Sequence, residues 1–247
     1  MRNVLLIVVD CLRADRVIGP RSCRTPVLDQ LGSSAAVYAQ AIASTPVTTP
    51  SFATLLTGCY PPRHGVRALR GYKLGSLPTL GEMLKARGFR AHAEVTGPLL
   101  PQVGLDRGFD EYVFRETTHD AGHWWRGIGD RLRALPSPWF ALIHVWDLHR
   151  PRQVHPECDT RAYGRTRYDR AMSSLDRELE GLLDAAAPDD VVVLTGRRSS
   201  GIAGTLFSPT TRAGSSRHGA ARGPSRGRTR GWCAPPTWGT GSTSSTS

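Results

Sequence analysis

Acidic residues are absent from the last 51 positions of this 247-residue chain, and lysine is nearly absent throughout. All 21 Asp and Glu fall within 1–196, alongside 24 of the 32 Lys and Arg, so that stretch carries a formal charge of only +3. The other eight cations are arginines in 197–247, which supply most of the net +11. The basic balance therefore belongs to the tail. No basic patch interleaved with aromatics marks 1–196 as a nucleic-acid surface, so no nucleic-acid partner is expected. Only Lys73 and Lys85 stand against 30 arginines, the bias of a GC-rich coding sequence. The five cysteines (11, 23, 59, 158 and 233) show no paired or C-x-x-C spacing, which argues against a disulfide framework and suits a reducing compartment. Long apolar runs are missing too. The first, 4–9, is six residues long and stops at Asp10, too short for a secretory leader or a membrane span. The expectation is a soluble cytoplasmic protein with no membrane partner.

What is present alternates between two periods. "VLLIVV" (4–9), "WFALIHVW" (139–146) and "DVVVLTG" (190–196) are near-continuous apolar runs, the pattern of parallel strands buried on both faces. "VYAQAIAS" (37–44) and "FRAHAEV" (89–95) are further strand candidates. Thr25-Pro26 and Thr49-Pro50 each pair a capping residue with a first-turn proline, the second opening "SFATLLTG" with Gly58 as its stop. "LPTLGEMLKARG" (77–88) predicts another helix. Across 162–186, Tyr168, Met172, Leu175, Leu179 and Leu182 recur at spacings of four and three, one face of a long helix. Strands alternating with helices predict a layered α/β fold with a mainly parallel sheet flanked by helices.

Ligands in such folds collect beyond the carboxyl ends of the strands. Asp10 follows the first strand, and Thr48 and Thr49 stand at a helix N-terminus. "WDLH" (146–149) follows a central strand, bringing Asp147 and His149. A carboxylate there is a candidate metal ligand. A hydroxyl at a helix start sits where backbone N–H groups favour an oxyanion. One threonine suffices as a cap, which leaves the other idle or a nucleophile. His64, after Pro61-Pro62, is either a loop-packing or a substrate-facing histidine.

The collinear stretches "NVLLIVVDCLRAD", "TPVLDQLG", "PVTTPSFATLLTGCYPPRHGV", "LPTLGEMLKARGFRAHAEV", "GLDRGFDEY", "WDLHRP" and "YDRAMSSLDRELEGLLD" resemble the sulfatase branch of the alkaline-phosphatase superfamily. The resemblance covers about 1–196. It implies an alkaline-phosphatase-like fold, incomplete at its C-terminus, acting on a small-molecule sulfate or phosphate ester with a divalent metal ion as cofactor. By resemblance, Asp10 is the first metal carboxylate and Thr48 the nucleophile position of a C/S-x-P-S-R signature, also touching the metal. His149 matches a histidine facing the leaving group; apart from the resemblance, Asp147 and His64 are candidates for substrate binding. The departures are specific. Cys11 stands where many members have a second Asp, Thr48 cannot become formylglycine, and Phe52 replaces the signature arginine. The lysine and histidine of the family have no match in "TGPLLP", and Arg197-Arg198 stand where an Asp-His pair is expected.

Ser, Gly, Thr, Pro and Arg make up 39 of the 51 residues in 197–247. The expectation is a sulfatase-like domain over 1–196, truncated or frame-shifted there, followed by an irregular or non-native tail. The alternative to a threonine-dependent hydrolase is an inactive homologue lacking half of the metal site.

Overall fold

The computed structural model describes residues 2–115, 121–197 and 202–209, with backbone alone for 121–123, 197 and 202–209. All of these fall in the unit ending at Arg212. Strand β1 (Val4–Asp10) is buried on both sides because alternate residues feed two different cores. Leu5, Ile7 and Val9 pack with α1 (Pro26–Ser34), α5 (Ala121–Arg133) and α6 (Arg167–Leu183). Leu6 and Val8 pack with Phe52, Ala53 and Leu56 of α2 (Thr48–Thr57). Two buried faces turn a period-two strand into an unbroken apolar run.

The sheet contains seven strands in the order β2-β7-β6-β1-β5-β3-β4. These are β2 (Ala36–Ile42), β3 (Arg90–Thr96), β4 (Glu111–Arg115), β5 (Trp139–Val145), β6 (Val191–Arg197) and β7 (Ile202–Pro209). From β6 to β4 all pairings are parallel, whereas β7 runs antiparallel to both β6 and β2. The mainly parallel α/β architecture is as expected. Two short helices, α3 (Pro61–His64) and α4 (Leu80–Lys85), complete the α2 side.

Several boundaries differ from expectation. The domain edge expected at 196 falls inside β6, and Ile202–Pro209 forms a paired strand rather than irregular chain. The rest of the tail lies outside the described residues. The helix expected over 77–88 shrinks to Leu80–Lys85, because the capping box between Thr79 and Glu82 sets its start. The long helix begins only at Arg167, where Thr166 and Asp169 form a second capping box. Strand β4 and helix α5 had no counterpart in the sequence reading.

Candidate active site

The site forms where the carboxyl end of β1 meets the first turn of α2. Asp10, the last residue of β1, is fully buried, on the sheet face shared with Val8. The N-cap of α2 is Val47, in extended conformation and with no side-chain cap, so the expected capping by Thr49 does not occur. Both threonines lie inside the first turn, where Pro50 is tolerated because its missing N–H has no intrahelical partner to lose. Their hydroxyls diverge. Thr48 Oγ1 donates to Asp10 Oδ2 at 3.4 Å, while Thr49 Oγ1 donates to the Leu69 carbonyl at 2.9 Å. The helix closes at Gly58, whose φ of 66° suits glycine.

A residue missed by sequence reasoning completes the cluster. His144 lies on β5 opposite Val8, which turns it to the same face as Asp10, and it is fully buried. Its Nδ1 lies 3.2 Å from the Thr96 carbonyl, which only accepts, so Nδ1 carries the proton. That bond turns Nε2 towards Asp10 Oδ2, 4.0 Å away. Phe52 meets the imidazole edge-on at 4.8 Å. The phenyl ring, fully buried, thus packs against the edge of His144. The sequence did carry a signal: a histidine interrupting the otherwise apolar run 139–146.

His149 is reached through Trp146. Trp146 meets His144 at 5.4 Å and stacks on His149 at 4.1 Å with 21° between planes. Its indole lies so close to Gly97 that a Cβ there would sit 2.7 Å from the ring, which only glycine avoids. His149 Nδ1 is engaged with the Arg150 carbonyl at 2.9 Å.

Asp147 and His64 are held elsewhere. The Asp147 carboxylate accepts from Trp125 Nε1 of α5 at 2.9 Å. Burial pushes its carboxyl up, outweighing that bond and the nearby Arg115 cation. His64 accepts the Val66 N–H at Nδ1 and donates from Nε2 to Thr54 Oγ1, each at 3.1 Å. Burial holds its pKa below the ordinary value, so the neutral ring locks the turn after α2. Between α2, β1 and β6 lies a cleft of about 200 Å³, one helical turn from Thr48, lined by Val8, Ser51, Phe52, Thr54, Leu55 and Thr195 among others.

For a divalent metal the donors fall short. Asp10, Thr48 and His144 Nε2 offer one carboxylate, one hydroxyl and one imidazole nitrogen, and among the described residues no group of three or more His, Cys, Asp or Glu could hold an ion. Catalytic metal sites use three or more protein ligands of those types. Arg197 pairs with Asp10 through the β6–β1 register, while its side chain and Arg198 lie outside the described residues.

Comparison with known proteins agrees with this frame. Residues 2–123 match the family model described as Sulfatase. The chain is 38% identical over 100 residues to a steryl-sulfatase of Mus musculus, covering 35% of this chain and 16% of that protein. It thus spans about a sixth of that relative's length. A phosphonate monoester hydrolase of Agrobacterium radiobacter superposes with a TM-score of 0.64 at 16% identity, over 85% of this chain and 68% of the other. The C-terminal periplasmic domain of EcEptC from Escherichia coli, solved as a complex with Zn, gives 0.62 at 17% identity over 85% and 73%. A protein in the alkaline phosphatase superfamily from Vibrio parahaemolyticus gives 0.57 at 17% identity over 84% and 61%, so the fold is alkaline-phosphatase-like.

Proposed function

We propose that the chain is a member of the sulfatase family, whose model matches residues 2–123, and that it acts on a small-molecule sulfate or phosphate ester with Thr48 as nucleophile. The observation that carries this is the buried contact between Thr48 Oγ1 and Asp10 Oδ2. In the proposed step the Thr48 proton passes to Asp10 as Oγ1 attacks the phosphorus or sulfur in line. The bond to the leaving oxygen breaks, and His149 supplies its proton. Charge developing on the non-bridging oxygens faces the N–H groups of the first turn of α2, which precede the first intrahelical bond, Ser51 N–H to the Val47 carbonyl. Water then attacks the covalent intermediate and gives a proton to His149, and the bond to Thr48 Oγ1 breaks as Asp10 returns its proton to that oxygen. A divalent ion, the cofactor that the family resemblance implies, is poorly served by the donors around Asp10.

The donor count favours a second reading, an inactive homologue that keeps the frame of the site. The two separate on hydrolysis of nitrophenyl phosphate, phosphonate and sulfate by the full chain, with and without added divalent metals. Turnover lost in Thr48→Ala supports the enzyme. A chain silent on all three esters, with no heat of metal binding by calorimetry, supports the inactive homologue.

A further inference from the structure

The exit of β1 departs from strand geometry in a specific way. Continued alternation would place Leu12 on the same face as Asp10. Leu12 is instead buried in the opposite cluster, with Leu5, Ile7 and Val9. The reversal occurs at Cys11, whose φ of 60° makes it the one non-glycine residue with positive φ among the described residues. A residue with a Cβ adopts that conformation only when its surroundings impose it. Here α6 supplies the constraint. Tyr168 donates its hydroxyl to the Cys11 carbonyl at 2.7 Å and accepts the Arg13 N–H at 3.0 Å, so one side-chain oxygen closes both sides of the turn. The rest of that helix face continues along the same segment. Asp169 accepts from Arg16 Nε at 2.6 Å and Ser22 Oγ at 2.8 Å, Ser173 Oγ accepts the Arg24 N–H, and Asp176 accepts the N–H groups of Val27 and Leu28.

We infer that Tyr168 is a positioning residue: its hydroxyl holds the left-handed turn at Cys11 by which β1 presents Asp10 to Thr48. The role in catalysis rests on the reading of Asp10 and Thr48 as the reacting pair, whereas the role in the turn does not. The Tyr168 phenol is held neutral, since burial raises its pKa well above the ordinary value. The hydroxyl thus keeps both a proton to donate and a lone pair to accept with.

The test uses the full chain with Tyr168→Phe, Cys11→Gly and the double variant. Glycine takes a φ of 60° without the Cβ penalty, so it removes the need for the tyrosine. In Tyr168→Phe the Arg13 amide is expected to exchange at least about tenfold faster, while the Val27 and Leu28 amides, held by Asp176, keep their protection. Cys11→Gly is expected to raise the melting temperature of Tyr168→Phe by more than it changes that of the wild type. If esters are turned over, kcat falls in Tyr168→Phe with KM unchanged, and Cys11→Gly recovers it. Unaltered Arg13 exchange, additive effects of the two substitutions, or failure of Tyr168→Phe to fold in both backgrounds overturns the inference. A wild-type chain inactive on every ester removes the catalytic reading alone, because exchange and the double-mutant cycle still decide the turn.

Discussion

Thr48 and Thr49 are neighbours in one helical turn, yet their hydroxyls serve different ends: the first reaches the buried Asp10 carboxylate, the second the Leu69 carbonyl. The divergence follows from the helix starting at Thr48, two residues earlier than a Thr49 cap would have it.

Thr48→Ala and Thr49→Ala should therefore have opposite signatures. Removing a nucleophile costs on the order of 10³-fold or more in kcat, whereas Thr49→Ala loses one hydrogen bond, about 1 kcal/mol of stability. Nitrophenyl phosphate turnover and urea unfolding, measured on both variants, check the pair.

Phosphate esters should be preferred over sulfates. The sulfate chemistry of the family depends on formylglycine at the nucleophile position, which threonine does not form. Initial rates on matched nitrophenyl phosphate and sulfate test this, and a faster sulfate reaction would reverse it.

Glu94 anchors α5 to the sheet and gives stability a defined acid limit. The carboxylate is fully buried and accepts from Arg131 Nε at 2.5 Å, from Trp124 Nε1 and from His92. Burial alone would raise its pKa, but these donors outweigh it and hold the carboxyl down to about 2. A depressed carboxylate contributes fully above its unfolded value near 4.5 and loses that contribution as pH falls through about 2. Glu94→Gln should cost about 1–3 kcal/mol at pH 7 by weakening the charge-assisted bonds the carboxylate accepts, with the Arg131 side half-exposed and screened, and the loss should shrink towards pH 2. Urea midpoints of both chains across that range give the answer.

Asp176 has the opposite sign. It is buried beneath the start of α1, and burial pushes its carboxyl up to about 6 despite two backbone donors. The folded chain binds the proton more tightly than the unfolded one, so this group lowers stability as pH rises from about 4 to 6. Asp176→Asn keeps an oxygen acceptor and should show a smaller fall over that interval than the wild type. Parallel thermal melts between pH 4 and 7 measure the difference.

The legible parts of the sequence were those where one requirement dominates. β1 and β5 are buried on both faces and read directly as apolar runs, as does β6, which is buried on one face and half-buried on the other. α6 declares its inward face through Met172, Leu175 and Leu179. α5 was hidden because Gly127 and Gly129 dilute its helix signal, although Trp124, Trp125, Ile128 and Leu132 all lie in the core. β7 was hidden because the tail composition around it suggests no core. The Asp10–Thr48 pairing follows the strand-end and helix-start signals, but the role of each hydroxyl depends on where α2 begins. Val47, a residue with no capping oxygen, gave no sign of that. His144 was concealed within a strand read only for its hydrophobicity, Asp147 depends on Trp125 of another helix, and His64 is held within its own turn by Thr54 and Val66.

The most direct measurement is to quench the full chain in acid during reaction with a phosphate ester and map the modified peptide by mass spectrometry. The account predicts a phosphoryl group on Thr48, abolished in Thr48→Ala and retained in Thr49→Ala. A phosphoryl group on Thr49, or steady turnover that survives Thr48→Ala, would contradict it.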